Sequence, residues 1–256
     1  MKLLLLAGIS VGTAAAAWLS YTSFLKKPEI DNSIVLLRDE TDSTENRLDA
    51  KTLLSYTDLD CDHWQSINFS FSSITDYDYN ETSEVSLPSK LFILSNPQER
   101  DEEIATFTKN LQSGIDSFSL QKNGRKESHI YTTVVRKLHE LAQTPAANKV
   151  LILQSNLQEN NAGTFNMYDS TNTFLLKKFP DSIQHRLLRL ATPHNLTGIQ
   201  IHLIHKPISQ TDNVRFAQMA EIMKKIFTDA GATVFISANL PKKKSCQITL
   251  QISVKF

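Results

Sequence analysis

The sequence predicts an α/β fold, with a doubly wound, mostly parallel sheet and helices on both of its faces. Short segments such as "IVLL" and "VLIL" are apolar throughout, which is typical of strands that are buried on both sides. Longer segments with apolar residues three and four positions apart lie between them and predict amphipathic helices. Because a helix returns the chain across one face of a sheet, strands that alternate with helices indicate parallel pairing.

The composition fits one exported domain behind an apolar N-terminal segment. Of 256 residues, 41% are hydrophobic and 21% are charged, which suits a globular body with a sizeable core. Lys and Arg total 27 and Asp and Glu total 27, so the chain has no excess of positive charge. The composition therefore gives no indication of a nucleic-acid partner. We assign residues 28–256 to a single α/β domain and leave residues 1–27 out of it.

The N-terminal segment is uncharged from Leu3 to Leu25 and is flanked by Lys2 and by Lys26 and Lys27. Its small residues at "TAAAA" fit a cleavable signal peptide. Its length equally fits a membrane anchor, which needs roughly 20 apolar residues. Both alternatives predict export, to a membrane-anchored or to a secreted or periplasmic location. Basic residues at both ends leave the orientation open.

The first half of the domain contains three predicted strands and a helix. The apolar segment Ser33–Arg38 predicts a buried strand, and a helix is expected from about Ser43 to Leu54. Alternation of polar and apolar residues over 65–75 predicts a half-covered strand. We expect an exposed acidic loop over 76–84 and a short buried strand at 90–94, "KLFIL".

The second half continues the alternation of helices and strands. The apolar spacing predicts helices over 98–118, 129–142, parts of 170–192 and 213–229, and strands over 148–154, 198–205, 232–236 and 247–256. Gly231 is expected to end the helix before it.

Two cysteines, Cys61 and Cys246, lie far apart in the sequence. In an oxidising compartment they would be able to form a disulfide, and two separate thiols are the alternative. Neither belongs to a CxxC motif, so the sequence supports neither a zinc site nor thiol catalysis.

Short oxygen-bearing side chains follow the first predicted strand in "IVLLRDETDST". Asp39, Thr41 and Ser43 occupy every second position after the apolar residues. Open parallel sheets bind ligands at the carboxyl ends of their strands, which makes this loop and the loop after Gln154 candidate sites. Carboxylates and hydroxyls are ligands that Mg²⁺ prefers. The alternative is a capped turn that leads into a helix.

The segment "IVLLRDETDS" resembles the first strand and DxSxS loop of a von Willebrand factor A-type (vWA) domain, with Thr41 at the middle hydroxyl position. Ser128, in "GRKESHIYTTVVRKL", matches a later hydroxyl of that family. Asn156, in "KVLILQSN", stands where the family has an aspartate. The resemblance covers roughly residues 30–240. It implies a variant site for Mg²⁺ with these ligands: Asp39, Thr41, Ser43, Ser128 and Asn156.

Asn156 carries no charge, so Asp39 is the one formal anion among the matched positions. The resemblance implies a module for adhesion or assembly, in which Mg²⁺ bridges to a carboxylate of a protein partner and no catalysis is needed. Residues 3–25, if they are not cleaved, would tether this module to a membrane. The sequence does not indicate the identity of that partner. Two alternatives remain open: a metal-assisted hydrolase or phosphotransferase that uses Asp39, and a structural domain whose cation site has decayed.

Overall fold

The computed structural model describes residues 30–39, 48–75, 82–120, 127–161 and 165–241. The described strands are β1 (Ile30–Asp39), β2 (Ile67–Ile74), β3 (Thr82–Leu87), β4 (Ala146–Gln154), β5 (Asn160–Asn161), β6 (Phe165–Asn166), β7 (Ile199–Ile204) and β8 (Thr233–Ser237). The described α-helices are α1 (Ala50–Leu54), α2 (Pro97–Leu120), α3 (Ile130–Gln143), α4 (Ser170–Lys178), α5 (Pro180–Leu190) and α6 (Gln210–Asp229).

Six of these strands form one sheet in the order β3-β2-β1-β4-β7-β8. All neighbours pair in parallel except β2 and β3, which are antiparallel. Strand β1 lies between β2 and β4 near the centre of the sheet. The predicted fold class, a doubly wound and mostly parallel α/β sheet, is therefore confirmed.

The central strands are buried on both faces, which explains their uninterrupted apolar residues. Alternate residues of a strand point to opposite faces. Val35 and Leu37 of β1 belong to a core with α3, α4, α5 and α6, whereas Ile34 and Leu36 belong to a second core with α1 and α2. Helices thus cover both faces of the sheet, as predicted.

Local chemistry explains where several helices begin and end. The Ser209 side chain accepts a hydrogen bond from the Asp212 amide and caps α6, which starts earlier than predicted. Gly231 follows α6 with a φ of 104°, and a Cβ there would meet Thr197 Oγ1 at 2.8 Å. Glycine avoids both the left-handed strain and this clash, so the predicted helix stop is confirmed.

Two predictions about the first sheet edge are wrong. Residues 90–94 do not form a buried strand: Phe92–Leu94 is a 3₁₀ turn, and Leu91 and Phe92 are exposed. The strand that pairs with β2 is β3, whose first residues were expected in the acidic loop. Its sequence "TSEVSL" is mostly polar because β3 is a solvent-facing edge strand, so hydrophobicity favoured the wrong segment. Residues 76–81 lie outside the described part.

The first helix is shorter than predicted in its described part. Leu48 and Asp49 precede α1, and the Asp49 carboxylate accepts a hydrogen bond from the Thr52 amide at 2.6 Å. An N-cap residue stands outside the helix, so Asp49 marks the start of α1. Residues 43–47 of the predicted helix lie outside the described residues.

Several other predictions fall outside the described residues: the apolar N-terminal segment, the strand at 247–256 and Cys246. Cys61 is disulfide-bonded and so is not a free thiol. None of the helices within the described ranges combines the length and apolar character that crossing a bilayer requires.

Candidate functional site

The candidate site lies at the carboxyl ends of β1 and β4, where the strand order reverses. From β1 the sheet continues through β2 and β3 on one side and through β4, β7 and β8 on the other. Helices that follow neighbouring strands leave in opposite directions at such a point and open a crevice between the strand ends. The sequence placed Asp39 and the loop after Gln154 at these two ends, and β1 and β4 are indeed paired neighbours.

Asp39 is the last residue of β1 and is fully buried. Ser155, directly after β4, donates a hydrogen bond from Oγ to Asp39 Oδ2 at 2.9 Å. The same Oγ accepts a hydrogen bond from the Leu157 amide at 2.9 Å. Ser155 therefore orients the buried carboxylate from the neighbouring strand.

A second buried carboxyl, that of Glu159, lies beside Asp39 and was missed by the sequence analysis. Glu159 is 1% exposed, and its Oε2 accepts a hydrogen bond from the Tyr131 amide at 2.8 Å, in the first turn of α3. Its Oε1 is buried and has no hydrogen-bond partner within the described residues. A buried polar atom that lacks a partner costs folding free energy.

The pKa of Glu159 is raised to about 8, chiefly by burial and also by the negative charge of Asp39, while hydrogen bonds from the Tyr131 and Ile130 amides oppose the rise. The two carboxyl groups therefore interact electrostatically. Two buried carboxylates repel when both are charged. The site therefore favours either a proton on Glu159 or a cation between the two groups.

The turn after β4 explains how Glu159 reaches this position. Leu157 has a φ of 57°, in the left-handed region that few residues other than glycine adopt. The Glu159 amide donates to the Leu157 carbonyl at 3.1 Å, which tightens the turn. The acid at position 159 would have been visible in "SNLQE", but nothing in the sequence indicates this reversal of the chain.

Ser128, the hydroxyl proposed from the sequence, lies at the start of α3 close to Glu159. It is fully buried, and its backbone pairs with Asn160 through an N–H···O distance of 3.0 Å one way and 3.2 Å the other. Ser128 is therefore held next to Glu159 at the beginning of α3. Thr41 and Ser43 lie outside the described residues.

Asn156 shapes the turn after β4. Its side-chain Oδ1 accepts a hydrogen bond from the Gln158 amide at 2.8 Å. Short side chains commonly hold turns in this way. The carbonyl oxygen that was expected to face a cation is thus engaged by the backbone, although it keeps a second lone pair.

A polar network beside these residues joins the loops after β4 and β7. The Gln158 amide group donates to Asp212 Oδ1 at 3.2 Å, and Asp212 Oδ2 lies 2.8 Å from His205 Nε2. The Ser155 amide donates to the Ile204 carbonyl at 3.2 Å. These contacts fix the β4 loop against β7 and α6, so the positions of Ser155 and Glu159 are supported from both sides.

The arrangement offers carboxylate and hydroxyl oxygens, the ligand chemistry of a hard cation such as Mg²⁺. Within the described ranges, no three His, Cys, Asp or Glu side chains come together in a group suited to a metal. The described part of this site contains two acids, Asp39 and Glu159, with Ser128 and Ser155 as neighbours. Residues 40–47, which follow Asp39 in the sequence, lie outside the described residues.

Comparisons with known proteins returned little. No family model matches the chain, and no curated protein matches it. Among solved structures, the D319A mutant of the PilB minor pilin from Streptococcus sanguinis is similar at a TM-score of 0.41 and 10% sequence identity. That similarity covers 84% of this chain, and the chain spans 59% of the pilin structure.

Proposed function

We propose that the protein is an exported, membrane-tethered, vWA-like module that binds a protein partner at the carboxyl ends of β1 and β4. A divalent cation, Mg²⁺ by its oxygen ligands, would link the buried carboxylates to an acidic side chain of the partner. The chain's own residues hold and orient that cation. No step of this function requires catalysis.

The observation that carries the proposal is the pair of buried carboxyls, Asp39 and Glu159, with Glu159 Oε1 lacking a hydrogen-bond partner among the described residues. A buried carboxylate is tolerated when it is paired or coordinates a metal. A cation near Glu159 Oε1 would satisfy this oxygen and remove the repulsion from Asp39. The residues present therefore fit a hard cation, and Glu159 supplies the negative charge that Asn156 lacks.

The roles of the remaining residues follow from their contacts. Ser155 keeps the Asp39 carboxylate in place through its hydroxyl. The Tyr131 amide in the first turn of α3 binds Glu159 Oε2, and no residue in the described ranges bonds to Oε1. Ser128 lies beside Glu159 and is the hydroxyl candidate from this part of the chain. Thr41 and Ser43 would complete the set from the loop after β1.

The two alternatives differ from this proposal in measurable ways. An enzyme that used Asp39 as nucleophile or metal ligand would turn over a generic phosphate ester, and Asp39→Asn would abolish that turnover. A domain with a decayed site would bind its partner without a cation. The second acid at Glu159 favours a working cation site over a decayed one.

The test is a calorimetric titration of Mg²⁺ and Mn²⁺ into the full chain and into the Asp39→Asn and Glu159→Gln variants. We expect binding in the unmodified chain and a strong loss in each variant. Glu221→Gln, an exposed acid on α6, is the matched control and should bind normally. Absence of binding at millimolar metal in the unmodified chain would contradict the cation site.

The open coordination position is tested on the Mn²⁺-loaded chain with acetate as a carboxylate probe. Bound Mn²⁺ enhances the relaxation of water protons while water occupies its shell. We expect acetate to reduce this enhancement by displacing water. An unchanged enhancement would contradict the bridge to a partner carboxylate, and the cation site itself would stand.

A further inference from the structure

An exposed apolar surface lies at the end of the sheet where β1 and β2 begin, opposite the candidate site at the carboxyl ends of β1 and β4. Leu91, Phe92 and Leu94 are 59%, 68% and 80% exposed, and Trp64 packs edge-on against Phe92 with 5.6 Å between ring centroids. We call these four residues the apolar turn. Large exposed apolar groups that are contiguous commonly mark an interaction surface.

The apolar turn is mounted on a rigid support. The guanidinium of Arg100, 1% exposed, donates hydrogen bonds to the carbonyls of His63, Gln65 and Pro88 at 2.6 to 2.9 Å. These carbonyls belong to the two segments that carry Trp64 and the 3₁₀ turn. The exposure of the apolar side chains is therefore built into the fold and is not a consequence of a loosely held loop.

The apolar turn lies close to the place where the chain enters the domain. Ile67 at the start of β2 pairs with Asn32 of β1 and with Leu87 at the end of β3. The starts of β1 and β2 and the end of β3 therefore lie together, at what we call the amino-end edge of the sheet. The Asp31 amide donates to Ser66 Oγ at 2.7 Å, and the Lys90 amide donates to the Trp64 carbonyl at 3.0 Å. The beginning of β1 is thus bonded to Ser66, two residues after Trp64 of the apolar turn.

We propose that residues 3–25 anchor the protein in a membrane and that the apolar turn inserts into the interfacial layer of the same membrane. This inference rests on the membrane tether of the proposed function. Only residues 26–29 separate the apolar segment from Ile30, and the five steps from Leu25 to Ile30 span at most about 18 Å. The tether therefore holds this edge of the sheet near the bilayer. Tryptophan and phenylalanine with leucine suit the interfacial layer, where aromatic rings concentrate.

The side chains around the apolar turn are mostly acidic. Asp62 and Asp101 are exposed beside it, and Asp101 lies 3.7 Å from His63. Lys90, next to Leu91, is already paired with Glu99 and Glu103. Because this surface is acidic, insertion of the apolar turn should depend on apolar contact and not on attraction to negatively charged lipids, and neutral phosphatidylcholine is a suitable membrane for its test.

With the amino-end edge at the membrane, the candidate site at the carboxyl ends of the strands faces away from it. This orientation leaves the site accessible to a partner in the aqueous compartment. The two surfaces therefore have separate roles: the apolar turn sets the orientation of the domain, and the site binds the partner.

The two tryptophans of the chain, Trp18 and Trp64, allow a direct test. The full chain is placed in phosphatidylcholine vesicles whose acyl chains carry bromine, a short-range quencher of tryptophan fluorescence. Trp18→Phe leaves Trp64 as the reporter of the apolar turn, and Trp64→Phe leaves Trp18 as the reporter of the anchor. We expect bromine to quench both. Leu91→Ser/Leu94→Ser in the Trp18→Phe background should lose Trp64 quenching, whereas the exposed control Phe174→Ser should keep it.

The outcomes separate this inference from the tether. Quenching of Trp18 without Trp64 would overturn the insertion of the apolar turn and leave the tether standing. Quenching of Trp64 without Trp18 would support insertion and contradict the tether. Quenching of neither would overturn both. If Trp64 were shielded from bromine and also from aqueous iodide, a protein surface such as a second copy would cover it, and the proposal would fail.

Discussion

Ser155 Oγ donates a hydrogen bond to Asp39 Oδ2 across 2.9 Å and so joins the ends of β1 and β4. Both residues are buried, and the same hydroxyl accepts the Leu157 amide. One small side chain thereby connects the predicted acid to the turn that carries Glu159. Substitution of four buried polar or titratable side chains tests which contacts stabilise this site and the rest of the sheet.

Ser155→Ala should lower the free energy of unfolding by about 1–3 kcal/mol, because a buried carboxylate and a buried amide each lose a hydrogen bond. Urea denaturation monitored by circular dichroism measures this change. Ser117→Ala, an exposed serine on α2, is the control and should have little effect. Equal stability of the two variants would show that the contact between Ser155 and Asp39 is not structurally important.

Glu159→Gln should change the dependence of stability on pH in metal-free protein. The pKa of Glu159 is raised to about 8, so its contribution to stability is full below pH 4.5 and is lost as pH rises towards 8. One pKa unit corresponds to about 1.4 kcal/mol, so the loss is on the order of a few kcal/mol. The Gln variant should lack this slope in unfolding measured with a chelator present. An identical slope in both proteins would contradict the prediction.

His202 should make the protein sensitive to acid. It lies between Tyr56 and Phe235, with both ring nitrogens buried and without hydrogen-bond partners in the described residues. Burial lowers the pKa of His202 to about 4. Its contribution to stability is therefore present above pH 6.5 and is lost as pH falls towards 4.

His202→Phe should remove this loss, because an aromatic ring without a titrating group keeps the packing. The exposed His185→Gln is the control and should retain the acid sensitivity. Unfolding free energies between pH 4 and pH 7 give the comparison. A steep loss of stability that persists in His202→Phe would assign the sensitivity to another group.

Arg100→Met should lower the free energy of unfolding by about 3 kcal/mol or more. Methionine retains much of the apolar stem but leaves the carbonyls of His63, Gln65 and Pro88 without their donor. Equilibrium urea denaturation measures the loss, and Arg189→Met, an exposed arginine on α5, is the control. A loss no larger than that of the control would show that Arg100 does not clamp the two segments.

Much of the fold was predictable because burial leaves a pattern in the sequence. The apolar residues of β1 and β4 and the helical spacing in α2, α3 and α6 are consequences of two-sided and one-sided burial. The same rule failed at Thr82–Leu87, where the edge strand is polar, and at 90–94, where apolar residues face solvent. Local hydrophobicity does not tell an exposed interaction surface from a buried strand.

The sequence by itself determined the doubly wound sheet and the position of Asp39 at the end of its central strand. Ser128 was also predicted near this end, at the start of a helix. Only the tertiary structure decided that Glu159 joins Asp39, because that requires the left-handed turn at Leu157 and the pairing of Ser128 with Asn160. The periodicity of side chains follows from local backbone geometry, whereas the approach of two carboxyl groups depends on contacts between distant segments.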